Sequence, residues 1–144
     1  MTEQEGEELD FDVLSESWNK YRLEDGSILK IKNPAVKVFK TTKVDSLGNS
    51  VYKTAGTTLI SCLVPKELKG TPSPPSEITQ ADIIADLKFV TISEEWCEYK
   101  VSDGVLLRAK TVLTKVSKTK KFNLYGEPLY SLSWQVLSDK VIPR

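Results

Sequence analysis

Residues 9 to 66 repeat as residues 87 to 144 without insertion or deletion, and this offset of 78 constrains the fold more than any other feature of the chain. The shift places Leu9, Phe11, Ser15, Glu16, Trp18 and Tyr21 on Leu87, Phe89, Ser93, Glu94, Trp96 and Tyr99. It places Asp25, Gly26, Leu29 and Lys32 on Asp103, Gly104, Leu107 and Lys110. Lys37, Val38, Lys40, Thr41 and Lys43 then match Lys115, Val116, Lys118, Thr119 and Lys121, and Gly48, Tyr52, Leu59 and Pro65 match Gly126, Tyr130, Leu137 and Pro143. These 19 identities in 58 aligned positions compare with about three or four expected by chance from ordinary composition.

Within each copy the apolar pattern has the period of two that marks strands, punctuated by turn residues. Asp25-Gly26 and Asp103-Gly104 are expected at two-residue hairpin turns. If Glu24 pairs with Ser27, Leu23 lies opposite Ile28 and Tyr21 opposite Lys30; the second copy then pairs Val101 with Leu106 and Tyr99 with Arg108. Later turns fall at Asp45 to Asn49 and Asn123 to Glu127, each with a glycine, Gly48 or Gly126, suited to positive φ. Strands are expected at 51–55, 58–64, 129–134 and 135–142, and Leu9, Phe11 and Val13 alternate as a leading strand. Short strands with regular turns predict an all-β protein: two tandem small barrels, SH3-like or similar and packed together, are favoured, and interleaving of the two copies as one pseudo-symmetric body is the alternative.

The modules are flanked by an acidic N-terminal tail, residues 1–8, and joined by a Pro/Ser-rich linker, residues 67–86, with Pro72, Pro74 and Pro75. Thr79 and Asp82 have the spacing that caps a short helical turn just before the second module. The net charge is zero, but unevenly spread. Residues 9–66 hold nine basic and six acidic side chains, and residues 87–144 hold ten and six. Each module is therefore basic, and the compensating acids lie in the tail (Glu3, Glu5, Glu7, Glu8) and the linker (Glu67, Glu77, Asp82, Asp86).

The chain has no histidine, which removes the commonest general base and metal ligand. Cys62 and Cys97 fall opposite Lys140 and Asn19 in the repeat, so they are read as free thiols without a metal motif. Neither phosphate-cradling glycine motif occurs. Glu16, Glu24, Asp25, Glu94 and Glu95 read as turn residues and solvated strand faces. No catalytic residue, cofactor or metal is expected, and the chain is not expected to be an enzyme. No apolar run is long enough to span a membrane, and the acidic start is unlike a signal peptide, so the cytoplasm is the expected location with no membrane partner.

Trp18, Tyr21, Trp96 and Tyr99 suit either core anchors or a stacking platform. As a surface, Tyr21 would stand beside Lys30 and Lys32, and Tyr99 beside Arg108 and Lys110. Lys37, Lys40 and Lys43, with Lys115, Lys118, Lys120 and Lys121, would form a basic stripe for phosphates, or simply solvated faces that discourage edge-to-edge pairing. The stretch from Tyr21 to Lys32, repeated from Tyr99 to Lys110, resembles the hairpins of Sm-like and other SH3-like barrels, which often bind RNA or peptides. The later Asn and Gly signature of Sm-like proteins is not evident after Lys43 or Lys121, so no binding residue is carried over. The function expected from sequence is a macromolecular binding or assembly module, through a protein partner or self-association. The alternative is binding of RNA or single-stranded nucleic acid through the residues just named.

Overall fold

The computed structural model describes residues 6–143; Glu3 and Glu5 of the expected tail lie outside the described residues. Within them the chain forms β1 (Glu7–Leu9), β2 (Phe11–Ser15), β3 (Asn19–Leu23), β4 (Ile28–Lys32), β5 (Ala35–Val44), β6 (Ser50–Gly56) and β7 (Leu59–Leu63). After the linker come β8 (Ile83–Leu87), β9 (Phe89–Ser93), β10 (Cys97–Val101), β11 (Leu106–Phe122) and β12 (Pro128–Val141). All pairings are antiparallel, in sheets ordered β1-β5-β6, β7-β4-β3-β9 and β12-β11-β10-β2, with β8 also on β11. None of these sheets closes into a barrel.

The expectation of two barrels side by side fails on the leading strands. β1 stays with its own module, Leu9 opposite Val38, as β8 does, Leu87 opposite Val116. β2 instead pairs with β10 of the other module, and β9 pairs with β3. Asp12 lies opposite Lys100 and Val90 opposite Arg22, two pairs that correspond at the offset of 78. The exchange extends into loops, where Glu24 N–H donates to Lys88 O at 2.9 Å and Ser102 N–H to Asp10 O at 2.8 Å.

Both cores are consequently mixed. Tyr21, Leu23, Leu29 and Ile31 of the first module pack with Leu113 and Val116 of the second. Tyr99, Val101, Val105 and Leu107 of the second pack with Val38 of the first, flanked by Phe11, Ala35 and Tyr52. A module of about 60 residues buries too little apolar surface to be robust alone, and interleaving gives each half a partner for its inner face.

The Asp-Gly hairpins form one register away from the expected one. Leu23 N–H donates to Ser27 O at 2.8 Å and Gly26 N–H to Leu23 O at 3.0 Å, so the loop has three residues, Glu24, Asp25 and Gly26. Gly26 has φ 93° and Gly104 φ 97°, while among the described residues no non-glycine has positive φ. Asp25 therefore cannot take the left-handed conformation that a two-residue type I′ turn requires, and the glycine forms a bulge instead. Tyr21 lies opposite Leu29 and Arg22 opposite Ile28; in the second copy Tyr99 faces Leu107 and Glu98 faces Arg108. A one-residue slip exchanges the faces. It sends Tyr21 and Tyr99 inward and leaves the cations outside. At the distal turns Gly48 and Gly126 do have positive φ, 81° and 75°.

The copies differ where the first module has Asn33-Pro34 and Gly56. Proline donates no hydrogen bond to a ladder, and the strand breaks there into β4 and β5. Gly56 lies against this break, because a Cβ on it would sit 2.2 Å from Pro34 O. The corresponding Val112 and Trp134 of the second module lie within the unbroken β11 and β12.

The linker is anchored at both ends. Gly70 N–H donates to Gly126 O at 2.8 Å and Ser73 N–H to Asn123 O at 3.0 Å. Before β8, a 3-10 turn at Gln80–Asp82 stands where a helical turn was expected, and the Asp82 carboxylate accepts from Thr79 N–H at 2.8 Å and Thr79 Oγ1 at 3.0 Å.

Candidate functional site

The hydroxyls of four tyrosines meet carboxylates across the two modules. Tyr21 donates to Glu94 Oε2 at 2.6 Å and Tyr99 to Glu16 Oε2 at 2.7 Å. Tyr130 donates to Asp25 Oδ2 at 2.6 Å and Tyr52 to Asp103 Oδ2 at 2.5 Å. Since the Tyr130 proton is committed to Asp25, the Ser27 hydroxyl, 3.0 Å away, is the donor to Tyr130. Burial, reinforced by Glu94, Glu16 and Asp25 respectively, raises the Tyr21, Tyr99 and Tyr130 hydroxyls well above the usual phenol range. Burial and then Asp103 push Tyr52 up to about 12. Neutral phenols and charged acceptors make strong hydrogen bonds of a structural kind.

These contacts correct two readings. Tyr21 and Tyr99, candidate surface residues in the sequence, are only 0% and 2% exposed. Their rings meet Phe89 and Phe11 edge to face, with centroids 5.8 and 5.7 Å apart. Glu16 and Glu94, read as solvated residues, are acceptors of the clasp; Asp25 and Asp103 do sit in the hairpin turns, accepting from Ser27 and Val105 N–H, and accept from a tyrosine hydroxyl as well. Their signal was present, because each is identical to its counterpart at the offset of 78, as are their tyrosine partners.

The cations that were expected beside tyrosines sit over tryptophans. Lys30 Nζ lies 5.3 Å and Lys32 Nζ 5.8 Å from the Trp18 ring centre, while the Arg108 guanidinium lies 4.5 Å and Lys110 Nζ 6.0 Å from that of Trp96. Both tryptophans are half-buried. Such stacking covers the ring faces that a nucleobase would use.

The proposed basic stripe is largely paired. Lys37 meets Glu8 at 3.4 Å, Lys40 meets Asp103 at 3.8 Å and Lys115 meets Asp86 at 3.8 Å. Asp82 serves both Lys121, at 3.2 Å, and Lys120, at 3.9 Å. Lys43 is exposed and Lys118 half-buried. Acids of the expected tail and linker thus fold back onto module lysines. Glu8 does so from β1, which begins inside the expected tail.

A concavity of about 630 Å³ opens at the Pro34 and Gly56 break and is walled by Tyr52, Tyr99, Leu107, Trp134 and Val136. Its polar rim carries a chain in which Thr58 Oγ1 donates to Asn33 Oδ1 at 2.6 Å and Asn33 Nδ2 donates to Thr111 Oγ1 at 2.7 Å. A second cleft of about 550 Å³ contains Cys62, Tyr130 and Leu132. Burial, with Glu127 and Asp25 nearby, pushes the Cys62 thiol up to about 12, the opposite of a reactive thiolate. Both cysteines are free. Among the described residues no group of three or more metal-ligating side chains converges, and no helix is long and apolar enough to cross a membrane.

Comparison with protein-family models, curated proteins and solved structures finds no match to this chain.

Proposed function

We propose that this chain is a non-enzymatic, internally duplicated β module that works by binding a macromolecular partner or by assembling with a copy of itself. The observation that carries the reading is a pair of corresponding outer sheet faces bearing exposed aliphatic side chains. Leu63 and its counterpart Val141 are 74% and 50% exposed, and Leu59 and Leu137 are 42% and 45% exposed. Scattered surface aliphatics need no explanation, but the same exposed positions recurring on two sheets are apolar surface that association would cover. Two like surfaces on one chain raise the effective concentration for a repetitive or two-fold partner. The duplication is supported by the 19 sequence identities together with corresponding registers, turns and tyrosine clasps. Interleaving of the copies fits a homodimer whose subunits became fused.

The test is sedimentation velocity of the full chain over a concentration series, joined to lysine cross-linking in native extract. The reading expects species heavier than a monomer, or partners cross-linked at Lys20, Lys30, Lys100 and Lys110, both weakened by Leu63→Ser with Val141→Ser. A monomer at every concentration with no cross-links on these faces contradicts it.

Binding of single-stranded nucleic acid is the second reading, favoured by the basic side chains of Lys20, Arg22, Lys30 and Lys32 on adjacent strands of one sheet. Titration with single-stranded RNA and DNA at two salt concentrations tests it. Absence of binding at low salt, or binding that ignores salt, excludes it.

A further inference from the structure

The two outer faces correspond in position but not in charge. On the first, register pairs give a row of Leu63, Ile28, Arg22 and Val90, then a row of Ser61, Lys30, Lys20 and Ser93, then Leu59 beside Lys32. On the second, the same rows read Val141, Leu106, Lys100 and Asp12, then Asp139, Arg108, Glu98 and Ser15, then Leu137 beside Lys110. The second face has three cations and three acids, and Arg108 is held by both Glu98 and Asp139 at 3.2 Å. In these rows the first face has four cations and no acid. At its margin Glu16 lies 3.8 Å from Lys32, and Glu24 is engaged by Lys88 N–H at 2.9 Å.

The differences are concentrated at three positions. Where the second face has Glu98, Asp139 and Asp12, the first has Lys20, Ser61 and Val90. Each removes an acid, and one replaces it with an aliphatic side chain that is 65% exposed. The result is a sheet face on which Lys20, Lys30 and Arg22, with no acid in their rows, stand among Leu63, Val90 and Leu59.

We propose that the outer face of the β7-β4-β3-β9 sheet docks on an anionic membrane surface. The charge calls for an anionic occupant, and the side-chain types choose among them. Protein interfaces are depleted of lysine at their centre and enriched in aromatics, whereas this face has lysines and no ring in those rows. Single-stranded nucleic acid needs exposed rings to stack on, and the nearby Trp18 is covered by Lys30 and Lys32. Aliphatic tips entering the headgroup region, with long basic stems reaching lipid phosphates and carboxylates around them, suit this composition. The absence of a spanning segment is no obstacle, since a surface-bound face needs none. This inference stands apart from the self-association reading, which the lipid-free sedimentation experiment decides separately.

The experiment is flotation of the full chain with vesicles of phosphatidylcholine alone or with about 30 mol% phosphatidylserine. Binding only to the phosphatidylserine vesicles is expected, weakening as salt rises from about 0.1 to 0.5 M. Lys20→Gln with Arg22→Gln should weaken it by about twenty-five-fold, roughly fivefold per cation. Leu63→Ser should weaken it too, while Lys100→Gln, on the corresponding face, should leave it unchanged. Urea midpoints of the variants establish that each is folded. The proposal is overturned by absence of lipid binding, by equal binding to both vesicles, or by binding indifferent to Lys20, Arg22 or Leu63. Tighter binding of an oligouridylate competitor through the same residues would also overturn it, in favour of nucleic acid.

Discussion

The Tyr21 hydroxyl donates to the Glu94 carboxylate at 2.6 Å, joining two residues 73 positions apart that belong to different modules. Tyr99 and Glu16 repeat the contact in the other direction at 2.7 Å. A buried phenol bonded to a partly buried carboxylate is sensitive to loss of its oxygen, because the remaining partner stays desolvated. Tyr21→Phe should therefore destabilise the protein by about 1.5 to 3 kcal/mol, read as a lowered urea midpoint. An unchanged midpoint would mean that the clasp contributes nothing net.

Alkali should unfold the chain through the same tyrosines. Tyr21, Tyr52, Tyr99 and Tyr130 all have raised values in the fold, the ordinary tyrosine value being 10.0. A raised value means that the folded state favours the neutral phenol. Its contribution is complete below pH 10.0 and is lost as pH rises through the folded value, which for Tyr52 is about 12. Circular dichroism titration should show stability flat near neutrality and falling from about pH 10 upward. In a Tyr125→Phe background, which removes the one tyrosine that is 77% exposed, tyrosinate absorbance rising before any unfolding would contradict the assignment.

The two distal glycines separate backbone strain from crowding. Gly48 and Gly126 both have positive φ, but a Cβ on Gly48 meets nothing within 4 Å, whereas one on Gly126 lies 2.5 Å from Gly70 O. Gly48→Ala should cost about 1 to 2 kcal/mol for the left-handed backbone. Gly126→Ala should cost more and loosen the linker, so thermal melts should place it below Gly48→Ala. Equal melting temperatures would show that the linker does not rest on that turn.

Asp82 ties the linker to the second module through Lys121, and caps its own turn by accepting from Thr79 N–H. Hydrogen bonds from Thr79, together with Lys121, hold its carboxyl below the ordinary aspartate value of 3.8. A depressed value gives stability that is present above the unfolded value and lost as pH falls through the folded one. Asp82→Asn at neutral pH should therefore speed tryptic cleavage after Lys66 and Lys69. Cleavage at the parental rate would show that the anchor is dispensable.

What could be read from the sequence divides along a physical line. The distal glycine turns and the short turn near Thr79 are local patterns, and each appears where residue type placed it. The hairpin register was missed because Asp-Gly serves both a two-residue turn and a three-residue turn with a glycine bulge, and φ at Asp25 distinguishes them. The strand exchange was not legible for a different reason. Period-two alternation fixes which side of Phe11 or Phe89 faces inward, but two related modules offer each leading strand two equivalent edges. The aromatic partners of the cations differ from the expected ones for a related reason. Lys30, Lys32, Arg108 and Lys110 do stand beside aromatics, but the slipped register substitutes Trp18 and Trp96 for Tyr21 and Tyr99. The pairing of Lys37, Lys115, Lys120 and Lys121 with distant acids depends on where the tail and linker fold back, which composition does not specify.

Strand exchange is the central feature of this architecture, and engineered disulfides measure it directly. Val90 and Arg22 are cross-strand partners only because β9 crosses to the first module. Had each module kept its own leading strand, Asp12, the counterpart of Val90, would face Arg22 instead. With Cys62 and Cys97 replaced by serine, Val90→Cys with Arg22→Cys should oxidise to an intrachain disulfide in the monomer, whereas Asp12→Cys with Arg22→Cys should not. The reverse outcome, a bond between positions 12 and 22 and none between 90 and 22, would contradict the interleaved fold.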